Sequence, residues 1–187
     1  MNGEALEALR RALDDYAQRW PDEDIAPFRE LLFGPEHPFA RERLAGHYTA
    51  SAWLVSRDGR RLLMTHHRKL DRWLQLGGHA DGEADLATAA LREAEEESGL
   101  SGLRVEPAIF DLDRHWIPER GDVPGHWHYD ARYVVHAGPS EAFVVSHESH
   151  ALAWRDIQGL VADEAIDPSI RRMARKWLDR GPVETRG

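Results

Sequence analysis

The chain has 187 residues, 42% hydrophobic and 30% charged, which suits one globular domain with room for a small extension. It has no cysteine, so disulfides and thiolate metal sites are excluded and a reducing cytoplasm is the expected compartment. A net charge of −9 with neutral histidines lacks the basic footprint that duplex nucleic acid requires, and no apolar run approaches the ~18 residues of a membrane span.

Residues 4–19 place Leu6, Leu9, Leu13 and Tyr16 at helical spacing. The segment is charged and amphipathic, unlike the apolar core of a secretion signal. Pro21 ends it, and a second short helix is expected from Asp22 to Phe33, before an irregular joint at Gly34, Pro35 and Pro38. Residues 1–46 are read as a helical extension, 47–180 as the main domain and 181–187 as a tail. The extension has two candidate roles, a cap over a site on the main domain or a homodimer contact.

The texture then changes. Tyr48 to Val55 and Arg61 to His66 are expected strands around an Asp58-Gly59 turn. Arg72 to Leu76 is a short extended segment leading to Gly77-Gly78. A helix follows from Asp85 to Ser98, with Gly99 placed for a left-handed cap. Ile109 to His115 and His128 to His136 read as strands separated by a long loop over 116–127, which holds two prolines and two glycines. A short strand over Ala151 to Arg155 and an amphipathic helix over Pro168 to Leu178 complete the set. This order predicts an α/β fold with a mixed sheet between helical layers. Trp53, Trp154 and Trp177 are expected in its core.

The helix over 85–98 carries the chemistry. At about 100° per residue, Glu93, Glu96 and Glu97 share a face that borders an apolar stripe of Ala87, Ala90, Leu91 and Ala94. Glu95 points away into solvent. These carboxylates crowd a helix C-terminus, which prefers cations. Two carboxylates ~6 Å apart repel by roughly 3 kcal/mol at an effective dielectric near 20, or a few tenths on a fully exposed helix. A solvated acidic face would therefore be tolerated. A divalent cation would turn the repulsion into attraction, and Mg²⁺ and Mn²⁺ select carboxylate oxygens.

The run from Gly78 to Leu100 resembles the Nudix box, which reads Gly, five residues, Glu, seven residues, then Arg-Glu-aliphatic-any-Glu-Glu-any-Gly-aliphatic. Gly78, Arg92, Glu93, Glu96, Glu97, Gly99 and Leu100 match at the right spacing, and Ala94 fills the aliphatic position. There are two departures. Ala84 stands where the first box glutamate belongs, with Glu83 one place earlier, so either the loop is one residue shorter or Glu83 does not play that part. Leu76 replaces the proline common before the glycine pair.

The resemblance implies a Nudix-like α/β/α sandwich and a pyrophosphohydrolase that uses Mg²⁺ or Mn²⁺. The Gly77 carbonyl, Glu93, Glu96 and Glu97 would hold the ions. Arg92 would orient the carboxylates, or alternatively pair with Glu96 on the surface. Glu93 is the first candidate for general base, and Glu148 is a second, since family members often recruit a glutamate from a late loop. The implied substrate is a small nucleotide, a nucleoside diphosphate linked to another moiety. The alternative is a catalytically inactive Nudix fold that binds or senses nucleotides.

Outside the box, His126, His128 and Asp130 alternate and should share one face if extended. With His79 in the box loop and His115 on the preceding strand, the histidines could contact phosphate or, as a zinc site of His115, His126 and His128, hold a transition metal. His67 and Arg68 belong to a basic spot, His66-His67-Arg68-Lys69, that could grasp phosphates. Trp73, Trp116 and Trp127 are candidates to stack on a nucleobase.

Overall fold

The structure, a computed structural model, describes residues 3–147 and 149–180. Glu148 and the tail over 181–187 lie outside the described residues.

In chain order the elements are α1 (Gly3–Arg19), α2 (Ala26–Leu32), β1 (Gly46–Val55), β2 (Arg61–His67), β3 (Arg72–Leu74), β4 (Leu76–His79), α3 (Leu86–Ser98), β5 (Arg104–Ile117), β6 (His126–His136), β7 (Ser149–Asp156), α4 (Ile157–Ala162) and α5 (Pro168–Asp179). The sheet is mixed. Strand β1 pairs in parallel with β6 and antiparallel with β2 and β4, β5 pairs antiparallel with β6, and β3 and β7 both join β2. All ten residues of β1 are buried, as a strand covered on both faces must be.

The two faces of β1 carry different chemistry. Tyr48, Ala50, Ala52 and Leu54 face cores shared with α3, and the first of these cores also takes Leu9, Leu13 and Tyr16 of α1 and Phe28, Leu31 and Leu32 of α2. Trp53 and Val55 face a third core, closed by Ile157 and Leu160 of α4 and Ile170, Met173 and Trp177 of α5. The sandwich of helices around a mixed sheet is thus the expected one, with the N-terminal helices built into a core of the main domain. No helix among the described residues is long and apolar enough to cross a membrane.

The differences from expectation are local. Helix α2 begins at Ala26 because Pro27 fixes its first turn, leaving 22–25 outside the helix. Strand β5 runs from Arg104, tolerating Pro107 through register shifts between Val105 and Asp111 on the sheet edge. The predicted loop over 116–127 shrinks to 118–125, because Trp116 pairs with Trp127 and Ile117 with His126 across the hairpin. Helix α4 was not predicted. It is six residues long and contains Gly159, and its one local signal is Asp156, whose carboxylate caps Gln158 and Gly159 N–H. Trp154, expected in the core, is half-buried and donates its indole N–H to the Glu141 carbonyl at 3.0 Å.

Candidate active site

Helix α3 starts and stops where its caps dictate. The Asp85 carboxylate accepts from Ala87 and Thr88 N–H, and Gly99, at φ 66°, turns its N–H back to the Glu95 carbonyl. Leu86, Ala87, Ala89, Ala90 and Ala94 are buried, so the helix cannot rotate without losing its core contacts. This fixes the three carboxylates. Glu97 is only 8% exposed and accepts the Gly77 N–H at 2.8 Å. Glu93 lies against Gly78, where a Cβ would collide with its carboxylate, and Glu96 is exposed. Gly77 itself, at φ 155°, is packed so that a Cβ would come within 2.7 Å of the Ala50 carbonyl oxygen and the Ser51 Cα. The glycine pair therefore lets a strand and a charged helix meet backbone to carboxylate.

Two of these carboxylates are taken largely out of water beside one another. Burial raises the Glu93 pKa; Arg92 opposes this and Glu96 reinforces it, leaving the group above its ordinary value. Carboxylate oxygens set beside a glycine backbone, Glu97 on Gly77 and Glu93 against Gly78, are hard donors of the kind a dication takes.

Arg92 does not pair with Glu96. Its Nη2 donates to the Glu93 carboxylate at 2.9 Å and to the His79 carbonyl at 2.8 Å, so it ties α3 to the end of β4. Its Nε is buried without a hydrogen-bond partner. Glu83 does not supply one: it is exposed and accepts the Asp85 N–H at 2.8 Å. Of the two readings of the displaced glutamate, the geometry matches the one in which Glu83 plays another part.

The histidines form one cluster, larger than the sequence indicated. Parallel pairing sets His47 opposite His128, and antiparallel pairing sets His128 opposite His115. His126, two residues before His128, points to the same face. The His47 ring is centred 5.1 Å from His126, 5.0 Å from His128 and 5.2 Å from His79. His79 also lies 5.2 Å from His128, edge-on. Burial first, then the neighbouring imidazoles, pushes His79 down to about 4 and His128 down to about 2, and burial lowers His47 as well. Those three rings are neutral at pH 7.

His47 was missed by the sequence reading. The available signal was the polar alternation His47, Thr49, Ser51 within an otherwise apolar strand. His115 stands at the margin of the cluster: its Nδ1 is 3.1 Å from the Asp113 carboxylate, and its ring is 5.5 Å from His128. Asp130 shares the face but is fully engaged by Thr49, Ser51, Gln75 and Arg132.

His67 and Arg68 are not brought into this cluster. The His67 Nδ1 accepts Lys69 and Leu70 N–H, closing the turn after β2. Arg68 donates to the His147 and Ser149 carbonyls at 3.0 Å each and so clamps the segment entering β7. Trp73 is stacked on His66. Trp116 is 51% exposed and meets Trp127 edge-on at 5.3 Å, and the Arg114 guanidinium covers Trp127 at 4.2 Å.

No curated protein matches this sequence. Among solved structures, a hydrolase of the NUDIX family from Clostridium perfringens is 28% identical with a TM-score of 0.54, over 72% of this chain and 97% of that one. The Nudix hydrolase RenU from M. smegmatis is 22% identical with a TM-score of 0.56, over 82% and 100%. The dihydroneopterin triphosphate pyrophosphohydrolase of E. coli is 18% identical with a TM-score of 0.55, over 71% and 95%. The NUDIX domain family matches residues 46–177, a span that contains every carboxylate of α3 and the whole histidine cluster; the chain belongs to the Nudix family and is a Nudix hydrolase.

Proposed function

We propose that the protein hydrolyses the phosphoanhydride bond of a nucleoside diphosphate linked to another moiety, with Mg²⁺ or Mn²⁺ held by Glu93, Glu96 and Glu97 beside the Gly77 carbonyl. The observation that carries this reading is the pair of partly desolvated carboxylates drawn onto the Gly77-Gly78 backbone with Glu96 beside them. When bound, such an ion supplies positive charge against the diphosphate oxygens and lowers the pKa of water. Glu93 accepts the proton of the attacking water. The water oxygen forms a bond to phosphorus as the anhydride P–O bond breaks, giving two phosphate products. Arg92 holds Glu93 and the His79 carbonyl in fixed relation, so the base cannot swing away from the glycine backbone. Glu148 remains a second candidate for the base.

The nucleoside end is assigned to the β5–β6 hairpin. Trp116 and Trp127 pair one position along from His115 and His128, and the exposed face of Trp116 offers a surface for a base. His79, next in the chain to Gly78 and with its ring centred 5.2 Å from that of His128, is the first of the candidate phosphate contacts.

The test is a phosphate-release panel of dinucleotides, nucleotide sugars, nucleoside triphosphates and coenzyme A, with Mg²⁺ or Mn²⁺. Turnover of a diphosphate-linked nucleotide is expected, and its loss in the Glu96→Gln, Glu97→Gln double variant. Undiminished turnover in that variant removes the assigned metal site. A second reading, a nucleotide-binding module without turnover, is favoured by one observation, the buried Arg92 Nε left without a hydrogen-bond partner. Nucleotide binding with no turnover in either metal would establish it.

A further inference from the structure

We propose that His47, His126 and His128 form a binding site for a borderline transition-metal ion of the zinc class, separate from the carboxylate site on α3. The His47 Nδ1 lies 3.2 Å from the Arg43 carbonyl, and the His126 Nδ1 lies 2.9 Å from the Pro124 carbonyl. Carbonyl oxygens only accept, so each Nδ1 carries the proton and each Nε2 keeps its lone pair. A metal-bound histidine usually donates its other ring N–H to a carbonyl or carboxylate in this way.

The free lone pairs converge. The Nε2 atoms of His126 and His128 are 3.2 Å apart, and one nitrogen from each of the three rings lies within 4.8 Å of the others. Four-coordinate zinc at a Zn–N distance of ~2.0–2.1 Å separates its ligand nitrogens by about 3.3 Å. Small ring rotations bring the set to that spacing.

The alternative is a packed nest of neutral imidazoles. One hydrogen bond between His126 and His128 would satisfy those two, but not His47. That residue is 1% exposed, and its Nε2 is buried with no hydrogen-bond partner. An unsatisfied buried polar atom destabilises a fold by about 1–3 kcal/mol. A dication at the point where the three nitrogens meet removes the deficit. The ring of His79, centred 5.2 Å from both His47 and His128, stands beside the fourth position.

Imidazole selects a different ion from carboxylate. Nitrogen donors favour Zn²⁺, Co²⁺, Ni²⁺ and Cu²⁺, whereas the α3 glutamates favour Mg²⁺ and Mn²⁺. The bound ion pins the entry of β1 to the entry of β6, one strand pairing away from the Trp116–Trp127 hairpin end. None of these histidines holds the proposed magnesium or manganese, so the two sites stand or fall separately.

The test uses tag-free, full-length protein stripped with a chelator and titrated with Co²⁺. One equivalent is expected to bind with the visible absorption of a four-coordinate site, and Zn²⁺ is expected to displace it. His126→Asn and His128→Asn, each checked for folding by circular dichroism, should abolish the absorption and weaken binding by at least the roughly 100-fold that loss of a supporting partner alone can cause. The Glu93→Gln, Glu96→Gln, Glu97→Gln triple variant should keep the absorption. No cobalt spectrum, or one that survives both histidine variants, overturns the proposal, as does a spectrum that disappears with the glutamates. His47→Gln provides a second reading: if it folds, Zn²⁺ should no longer raise its melting temperature as it does that of the parent protein.

Discussion

At Gly77 and Gly78, adjacent residues of the same type guard different things. A side chain at 77 meets backbone, the Ala50 carbonyl and the Ser51 Cα, neither of which can retreat without breaking the β1–β4 pairing. A side chain at 78 meets first the carboxylate of Glu93, the movable end of a flexible group. Gly77→Ala is therefore expected to lower stability, and Gly78→Ala to leave the fold intact while displacing Glu93. A displacement of ~1 Å at the reacting centre lowers turnover by about 100-fold. Measured kcat and urea midpoints separate the two; a Gly78→Ala enzyme with parental kcat would show that Glu93 works from another position. Ala84 supports a second prediction. The buried Nε of Arg92 lacks an acceptor, and position 84 is where the family's box has its first glutamate. Ala84→Glu should supply that acceptor and raise stability by about 1 kcal/mol, read as a higher urea midpoint at unchanged slope. An unchanged or lowered midpoint would mean that the Nε is satisfied by solvent.

Elements differ in how much of themselves they show in sequence. Helix α3 was legible from end to end because everything that defines it is local: the Asp85 cap, the alanine stripe, the Gly99 stop. The glutamates it carries were legible for the same reason. Helix α4 was not, since six residues hold too few turns for a period to emerge. His47 escaped because its partners His126 and His128 come from a strand far along the chain, joined to β1 by a parallel pairing that no local pattern encodes. The hairpin arms were underestimated because Pro118, Pro124 and two glycines mark a loop, while the tryptophan pair that extends the strands acts across it. Helix α5 shows how an element is secured by charge. Glu106 of β5 accepts from His136 of β6 and from Arg180 just past the end of α5, both at 2.8 Å. Burial pushes the Glu106 carboxyl up, but the hydrogen bonds and charges of His136 and Arg180 outweigh it and hold the group at about 2. A carboxylate held below its ordinary pKa adds stability that is present above the ordinary value and is lost as pH falls through the folded value. Glu106→Gln removes that contribution. The stability gap between parent and variant should therefore be largest near neutrality and shrink as pH falls from about 5 to about 3. A gap that stays constant over this range would assign the effect to packing.

Across the whole molecule, one buried charge network crosses the boundary that composition suggested at residue 46. Lys176 of α5 donates to Asp111 of β5 at 2.8 Å and to the Tyr16 hydroxyl of α1 at 2.7 Å, and it pairs with Glu23 at 2.5 Å. Asp111 is fully buried and also receives Arg132 and Arg172. The Tyr16 hydroxyl in turn donates to Glu23 and accepts the Leu112 N–H. Helix α1 is thereby joined to the sheet edge and to α5 by polar contacts as well as by Leu9 and Leu13, so the N-terminal helices and the main domain should unfold together. Removing one partner of a buried ion pair leaves the others uncompensated and destabilises by about 3–5 kcal/mol. Because Asp111 keeps two arginines, Lys176→Met is expected near the lower end, about 3 kcal/mol. The loss should appear as a single urea transition moved to lower denaturant, followed by circular dichroism and tryptophan fluorescence alike. If α1 were instead an appended element, the variant would show two transitions, an early one carrying the helical signal of residues 3–32 and a late one at the parental midpoint. That outcome would separate the extension from the fold and return its role to a cap or a contact between copies.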